Sequence, residues 1–238
     1  MVAARRISSD SGYNLLYYLG HRARVVEAFG PDVVKFRDDF VDSVVAADAV
    51  TGYTVTLVEA GAGESTITHP DTVSGVLLFT TDANEDDGIN FQLTGEAFKL
   101  DTQAMTWFGA RFKASEATQI DWLIGLCITD TDLLGGMTDG VYFRKADGAA
   151  TMAFVTEKDS TETSTAAGTF AADTYTEVAF GYDGTSVFGF VNGTLVATHT
   201  TNIPDDELLT PSLQVLAGSA AARTLTLDVW HAGMIGRG

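Results

Sequence analysis

YTEVAFGYDGTSVFGFVNGTLVATHT, residues Tyr175–Thr200, decides the fold class of this chain. Val178, Phe180 and Tyr182 alternate with Glu177, Ala179 and Gly181, and Val187, Gly189 and Val191 alternate with Ser186, Phe188 and Phe190. A period of two puts one set on each face of a strand. Asp183-Gly184 and Asn192-Gly193 fall where the alternation breaks. Both dipeptides favour the positive φ angles of primed hairpin turns, whose twist matches the flanking strands. The stretch predicts three strands in an antiparallel meander.

The same pattern extends outward. Strands are expected at Thr54–Val58, Gly75–Thr80, Ile89–Leu93, Met105–Lys113, Ile120–Thr129, Gly140–Lys145 and Thr151–Thr156. They continue at Ser212–Ala217 and Arg223–Ala232. About a dozen strands separated by turn signals point to a sandwich rather than alternating βαβ units. Glu59–Thr72 and Glu157–Thr174 are small and polar and read as loops. No fixed-period repeat and no Pro-rich linker interrupts residues 36–238, which read as one domain.

Residues 1–35 differ in kind. Leu15, Leu16, Leu19, Val25, Val26 and Phe29 give an imperfect helical stripe, with Ser11 as a cap and Gly30-Pro31 as a stop, so a partly helical arm is expected. Arg5, Arg6, Arg22, Arg24, Lys35 and Arg37 crowd the first 37 residues, whereas the whole chain carries a net charge of −18. Two readings stand: a basic arm that attaches to an acidic partner, with Arg5, Arg6, Tyr17, Tyr18, Arg22 and Arg24 in contact, or a short helix that happens to carry arginines.

The 238 residues are 45% hydrophobic and 10% aromatic, enough for a packed core. The charge excludes a nucleic-acid-binding surface, because phosphate would be repelled. No run approaches the roughly 18 apolar residues of a membrane span. The opening MVAARRISSDSGYNLLYYLG does not read as a secretory signal. Cys127 stands alone within an apolar run, where a buried thiol is expected and an intrachain disulfide is excluded.

Chemistry is sparse. A glycosidase needs two carboxylates about 5 Å or about 6.5–9.5 Å apart, and no Glu-x-Asp-x-x-Glu strand pattern occurs. Asp38-Asp39 and Asp205-Asp206-Glu207 are adjacent carboxylates in turns, pointing apart. Asp82, Asn84 and Asp86 have the one-three-five spacing of a calcium loop, but the glycine comes one place late and Leu93 replaces the bidentate glutamate. An acidic turn between strands is the competing reading. His21, His69, His199 and His231 have no partner at metal-ligand spacing. There is no nucleophile elbow and no phosphate loop. Trp107 and Trp122 sit in apolar strand patterns, whereas Trp230 falls on the polar alternation opposite Leu225, Leu227 and Val229. With Tyr142 it is a candidate sugar-stacking platform.

The order of certain motifs resembles a concanavalin A-like (laminin G-like) jelly roll of the kind found among tailed-phage virion proteins. These are Phe36-Arg37-Asp38-Asp39-Phe40, Gly75-Val76-Leu77-Leu78-Phe79-Thr80-Thr81, Trp107-Phe108-Gly109-Ala110-Arg111-Phe112-Lys113 and Ile124-Gly125-Leu126. They continue with Asp139-Gly140-Val141-Tyr142-Phe143, Tyr182-Asp183-Gly184, Phe190-Val191-Asn192-Gly193, Ile203-Pro204, Leu209-Thr210-Pro211 and Leu225-Thr226-Leu227-Asp228-Val229. The resemblance covers roughly residues 36–235 and implies an all-β jelly-roll sandwich. It implies a non-enzymatic capsid decoration or head-fibre protein, made in the host cytoplasm and displayed on the virion surface. Its partners would be the major capsid protein or another virion protein, further copies of itself (a trimer among the candidate states) and a surface glycan. It brings no obligatory cofactor. A lectin-like module, or a glycoside hydrolase of the same fold, are the alternatives.

Overall fold

The computed structural model describes the backbone of residues 4–8, 14–18 and 21–29 and, with side chains, residues 32–59, 63–70, 72–73 and 75–236. Among them every regular element is a strand. In chain order these are β1 (Ala4–Ser8), β2 (Asn14–Tyr18), β3 (His21–Phe29), β4 (Val33–Asp38), β5 (Val45–Ala46), β6 (Ala49–Val50) and β7 (Tyr53–Val58). Next come β8 (Thr66–Thr68), β9 (Leu77–Thr80), β10 (Gly88–Leu93), β11 (Met105–Ala114), β12 (Ile120–Cys127), β13 (Gly140–Lys145) and β14 (Thr151–Lys158). The last are β15 (Thr161–Thr169), β16 (Thr176–Tyr182), β17 (Val187–Val191), β18 (Thr194–His199), β19 (Thr210–Ala217) and β20 (Thr224–Ile235).

Two antiparallel sheets form the sandwich. One has seven strands in the order β15-β14-β13-β12-β19-β10-β7; the other has eight, in the order β18-β17-β16-β11-β20-β9-β8, with β4 also on β20. The long β20 divides one edge between two partners, pairing Thr224–Leu227 with β9 and Trp230–Ile235 with β4. The meander that set the fold class forms β16-β17-β18 as expected, and Asn192 and Gly193 take φ of 49° and 77° in the second turn. Asp183 holds the first turn by accepting bonds from the Thr185 and Ser186 amides.

The core lies between the sheets, where alternating inward residues from both meet. Phe112, Trp122 and Phe170 form one aromatic cluster, and Phe36, Phe40, Tyr53, Phe91 and Trp230 form another. Gly189 of β17 has no side chain because the Phe154 ring of the opposite sheet fills that space; a Cβ there would lie 2.8 Å from it.

Three expectations are corrected. The N-terminal arm is not helical: β1, β2 and β3 form a three-stranded antiparallel sheet of their own. The segment His21–Phe29 alternates Arg22 and Arg24 with Ala23 and Val25, and the aromatic and β-branched residues around it suit an extended chain better than the loose helical stripe did. The arm also ends earlier than position 35, since Val33–Lys35 already belong to β4 of the sandwich. The Glu157–Thr174 segment is not a loop. It supplies the end of β14 and all of β15, joined through Asp159 and Ser160 at φ of 51° and 59°, and its threonines tolerate the half-exposed edge.

Candidate functional site

The residues singled out from sequence fall in separate places. For the arm only strand backbone is described, so the side chains of Arg5, Arg6, Tyr17, Tyr18, Arg22 and Arg24 lie outside the described residues. Trp230 is 0% exposed and stacks on Phe91 and Tyr53, so it offers no platform to a sugar. The cause is a β-bulge. Arg111 pairs with Val229 but Phe112 pairs with Leu227, which leaves Asp228 as an extra residue on β20. The alternation changes phase there, and Trp230 turns inward. Tyr142 is also buried, under the connection between β12 and β13.

Asp82, Asn84 and Asp86 lie in the turn before β10, with Asp86 at φ 67°. The Asn84 side-chain amide donates to Asp82 at 2.6 Å and to Asp87 at 3.0 Å, and so bridges two carboxylates. Its N–H donors point at the oxygens that would otherwise face a cation. The described residues contain no cluster of three or more His, Cys, Asp or Glu side chains suited to a metal ion.

The outer face of the seven-stranded sheet is filled by the chain itself. Leu133 and Met137, from the 128–139 connection, pack on Leu123, Cys127, Tyr142 and Val155. Three buried amides fasten the connection down. Gln92 donates to the Ile128 carbonyl at 2.9 Å and accepts from the Asp130 amide at 3.0 Å. Gln214 accepts from the Leu134 amide at 2.6 Å and donates to Asp132 at 3.0 Å, while Asn90 donates to the Asp130 carbonyl.

The carboxylates at the rim of this face are committed to internal partners. Glu157 and Glu162 are register partners on β14 and β15. The Tyr142 hydroxyl lies 2.8 Å from Glu157 and 3.2 Å from Glu162, and Arg144 forms a two-pronged pair with Glu162. Burial raises the Glu157 carboxyl above its usual range, with the Tyr142 hydrogen bond opposing. Lys145 is buried on the inner side and donates to the Thr118, Ile120 and Ala146 carbonyls. Desolvation lowers its ammonium below the ordinary lysine range.

An open cleft lies on the outer face of the other sheet, with a volume of about 390 Å³. Arg111 and Lys113 of β11, Thr226 and Asp228 of β20, and Tyr175 form one wall. Pro70, Val73, Val76 and Leu78 form an apolar lip interrupted by the hydroxyl of Thr72, and Val73 is 96% exposed. Arg111 is ion-paired to Asp228, and its guanidinium lies 3.7 Å over the Tyr175 ring, which fixes its plane. Lys113 stands 5.3 Å from the same ring and has no carboxylate partner among the described residues. Burial, then the Asp228 charge, raises the Tyr175 phenol above its usual range.

Sequence reasoning did not single out this cleft. The signal was there in Arg111 and Lys113, two cations at alternate positions of a strand and hence on one face, but they were read only as part of a strand motif.

No protein-family model matches the chain, and no curated protein matches it. Solved structures do. A protein of unknown function from Shewanella oneidensis MR-1 superposes with a TM-score of 0.59 at 13% identity, over 86% of this chain and 87% of that one. The Bacillus licheniformis β-glucanase gives 0.58 at 14% identity, over 83% and 97%. The metal-free carbohydrate recognition domain of Emp46p gives 0.53 at 10% identity, over 76% and 88%. Identities this low speak to architecture alone. The chain has the all-β jelly-roll sandwich shared by concanavalin A-like lectins and glucanases.

Proposed function

We propose that this is a non-enzymatic structural protein of a tailed-phage virion, a capsid decoration or head-fibre protein. Residues 1–32 attach it to the major capsid protein or another virion protein, and the sandwich is displayed outward. The observation that carries this reading is the division of the chain: β1, β2 and β3 pair only with one another, while β4 onward builds the sandwich. Residues 1–32 set Arg5, Arg6, Arg22 and Arg24 against Asp10, Glu27 and Asp32, whereas the net charge of −18 arises from the remainder of the chain. Two features favour a non-catalytic body. The outer face of the seven-stranded sheet is closed by the 128–139 connection, and Glu157 and Glu162 are held by Tyr142 and Arg144. An acidic surface also limits association between crowded copies. The test replaces Arg5, Arg6, Arg22 and Arg24 together by Gln in the full chain. Occupancy on purified particles should fall several-fold while the circular dichroism of the free protein is unchanged; undiminished occupancy sinks the reading.

The cleft beside Arg111 favours a second reading, carbohydrate recognition by the displayed body. The glucanase and carbohydrate recognition domain among the similar structures are compatible with it at the level of fold. A glycan array probed with the full chain tests it, and silence across neutral and acidic glycans argues against it.

A further inference from the structure

We propose that the cleft on the outer face of the eight-stranded sheet binds a carboxylate-bearing sugar unit, with Lys113 as the residue that takes the carboxylate. This inference rests on the carbohydrate-recognition reading and specifies its site and ligand class. It does not depend on the arm.

Local charge is the first support. The chain carries a net −18, yet the cleft is lined by two cations and one carboxylate. Arg111 is already occupied by Asp228 and by the Tyr175 ring, and among the described residues Lys113 is the lining cation without a carboxylate partner. Glu177 is the register partner of Arg111 on β16 and lies outside the lining.

The ion pair is the second support. Asp228 shares the outer face of β20 with Thr226 by the two-residue period of the strand, which places it beside Arg111 on the cleft side. That pair holds the guanidinium against Tyr175 and keeps both charges of the pair in the cleft wall.

The remaining lining fits an amphipathic ring. Lys113, Thr226 and Leu78 are successive register partners across β11, β20 and β9, so a cation, a hydroxyl and an apolar side chain stand in one row. Thr72 adds a second hydroxyl, and Pro70, Val73 and Val76 add apolar cover. A saccharide offers hydroxyls at its edge and C–H groups on its face, and its carboxylate supplies the countercharge. The volume of about 390 Å³ lies within the range of small-molecule sites, roughly 300–1,000 Å³.

The experiment titrates the full chain with glucuronate, glucose and sulfate separately, following amide shifts of β11 and β20 by NMR. Glucuronate should bind with shifts at Lys113, Thr226 and Asp228, glucose at least ten-fold more weakly, and Lys113→Gln should lose at least ten-fold in affinity with an unchanged melting temperature. Three results overturn the proposal: no shifts at these positions, equal binding of glucose, or full affinity in the Lys113→Gln protein. Sulfate binding as tightly as glucuronate also overturns it, because the site would then be a bare anion site. None of these outcomes bears on particle occupancy, so failure here is distinguishable from failure of the arm.

Discussion

Trp230 donates its indole N–H to the Tyr53 hydroxyl at 3.3 Å, and that hydroxyl donates onward to Asp38. Three strands, β20, β7 and β4, are joined by this chain of bonds. Tyr53→Phe keeps the ring stacked on Phe91, at 4.3 Å between centroids, but strands a buried N–H and leaves Asp38 with the bond from the Phe40 amide and none from Tyr53. The expected loss is about 1–3 kcal/mol, read from urea unfolding, with a changed tryptophan emission in the native state.

The 128–139 connection should behave as a separable cover. Leu133→Ala removes a buried side chain that touches only the outer cluster, and Gln214→Ala removes two of the bonds that fasten the connection. Each variant should speed amide hydrogen exchange across residues 129–137 while leaving β16 and β17 protected. The leucine change should cost about 2–3 kcal/mol, toward the low end for buried leucine because the connection can settle.

Histidine burial sets an acid limit on stability. Desolvation, with Arg37 alongside, lowers His231 to about 4, and burial also lowers His199, which sits between Thr156 and Thr165. A histidine with a depressed folded pKa costs nothing above its unfolded value of about 6.5. Below that the unfolded chain binds the proton and the fold does not, so stability falls as pH drops from 6.5 to about 4 and this contribution levels off below. For His231 the total is on the order of 3 kcal/mol. The urea midpoint of His231→Gln, measured against the parent at pH 7 and pH 4.5, should show a shallower decline.

Glu157 gives the opposite sign. Its carboxyl is raised by burial, so the ionised form is a burden that grows as pH rises through the carboxylate range. Glu157→Gln keeps an oxygen that can accept the Tyr142 proton and removes the charge. It should be neutral or stabilising at pH 7. Glu157→Ala should cost about 1–2 kcal/mol, because Tyr142 would retain only the longer contact to Glu162. Thermal melts of the two variants separate these outcomes.

The strands were legible because alternation and turn dipeptides are local, and β11, β13, β16 and β18 appear where those signals put them. Features set by long-range pairing were not legible. Leu225, Leu227 and Val229 read as an uninterrupted alternation, and only the register with β11 introduces the bulge that sends Trp230 inward. Likewise, Gln92 and Gln214 looked like ordinary polar residues of two strands, until the 128–139 connection arrives over them. The cleft had the same difficulty. Arg111 and Lys113 share a face by spacing alone, but Tyr175 and the lip around Val73 come from elsewhere in the chain.

The route by which the arm joins the body has a mechanical consequence. Residues 1–32 enter the sandwich through β4, whose six register pairs with β20 run from Val33–Ile235 to Asp38–Trp230. A pull along the axis of β4 loads those pairs in shear, all together, rather than opening them one at a time. The strand ends at Asp38, which is tied through Tyr53 to the indole of Trp230. Tension on residues 1–32 is therefore delivered through β4 to the middle of the fold's longest strand and its aromatic core.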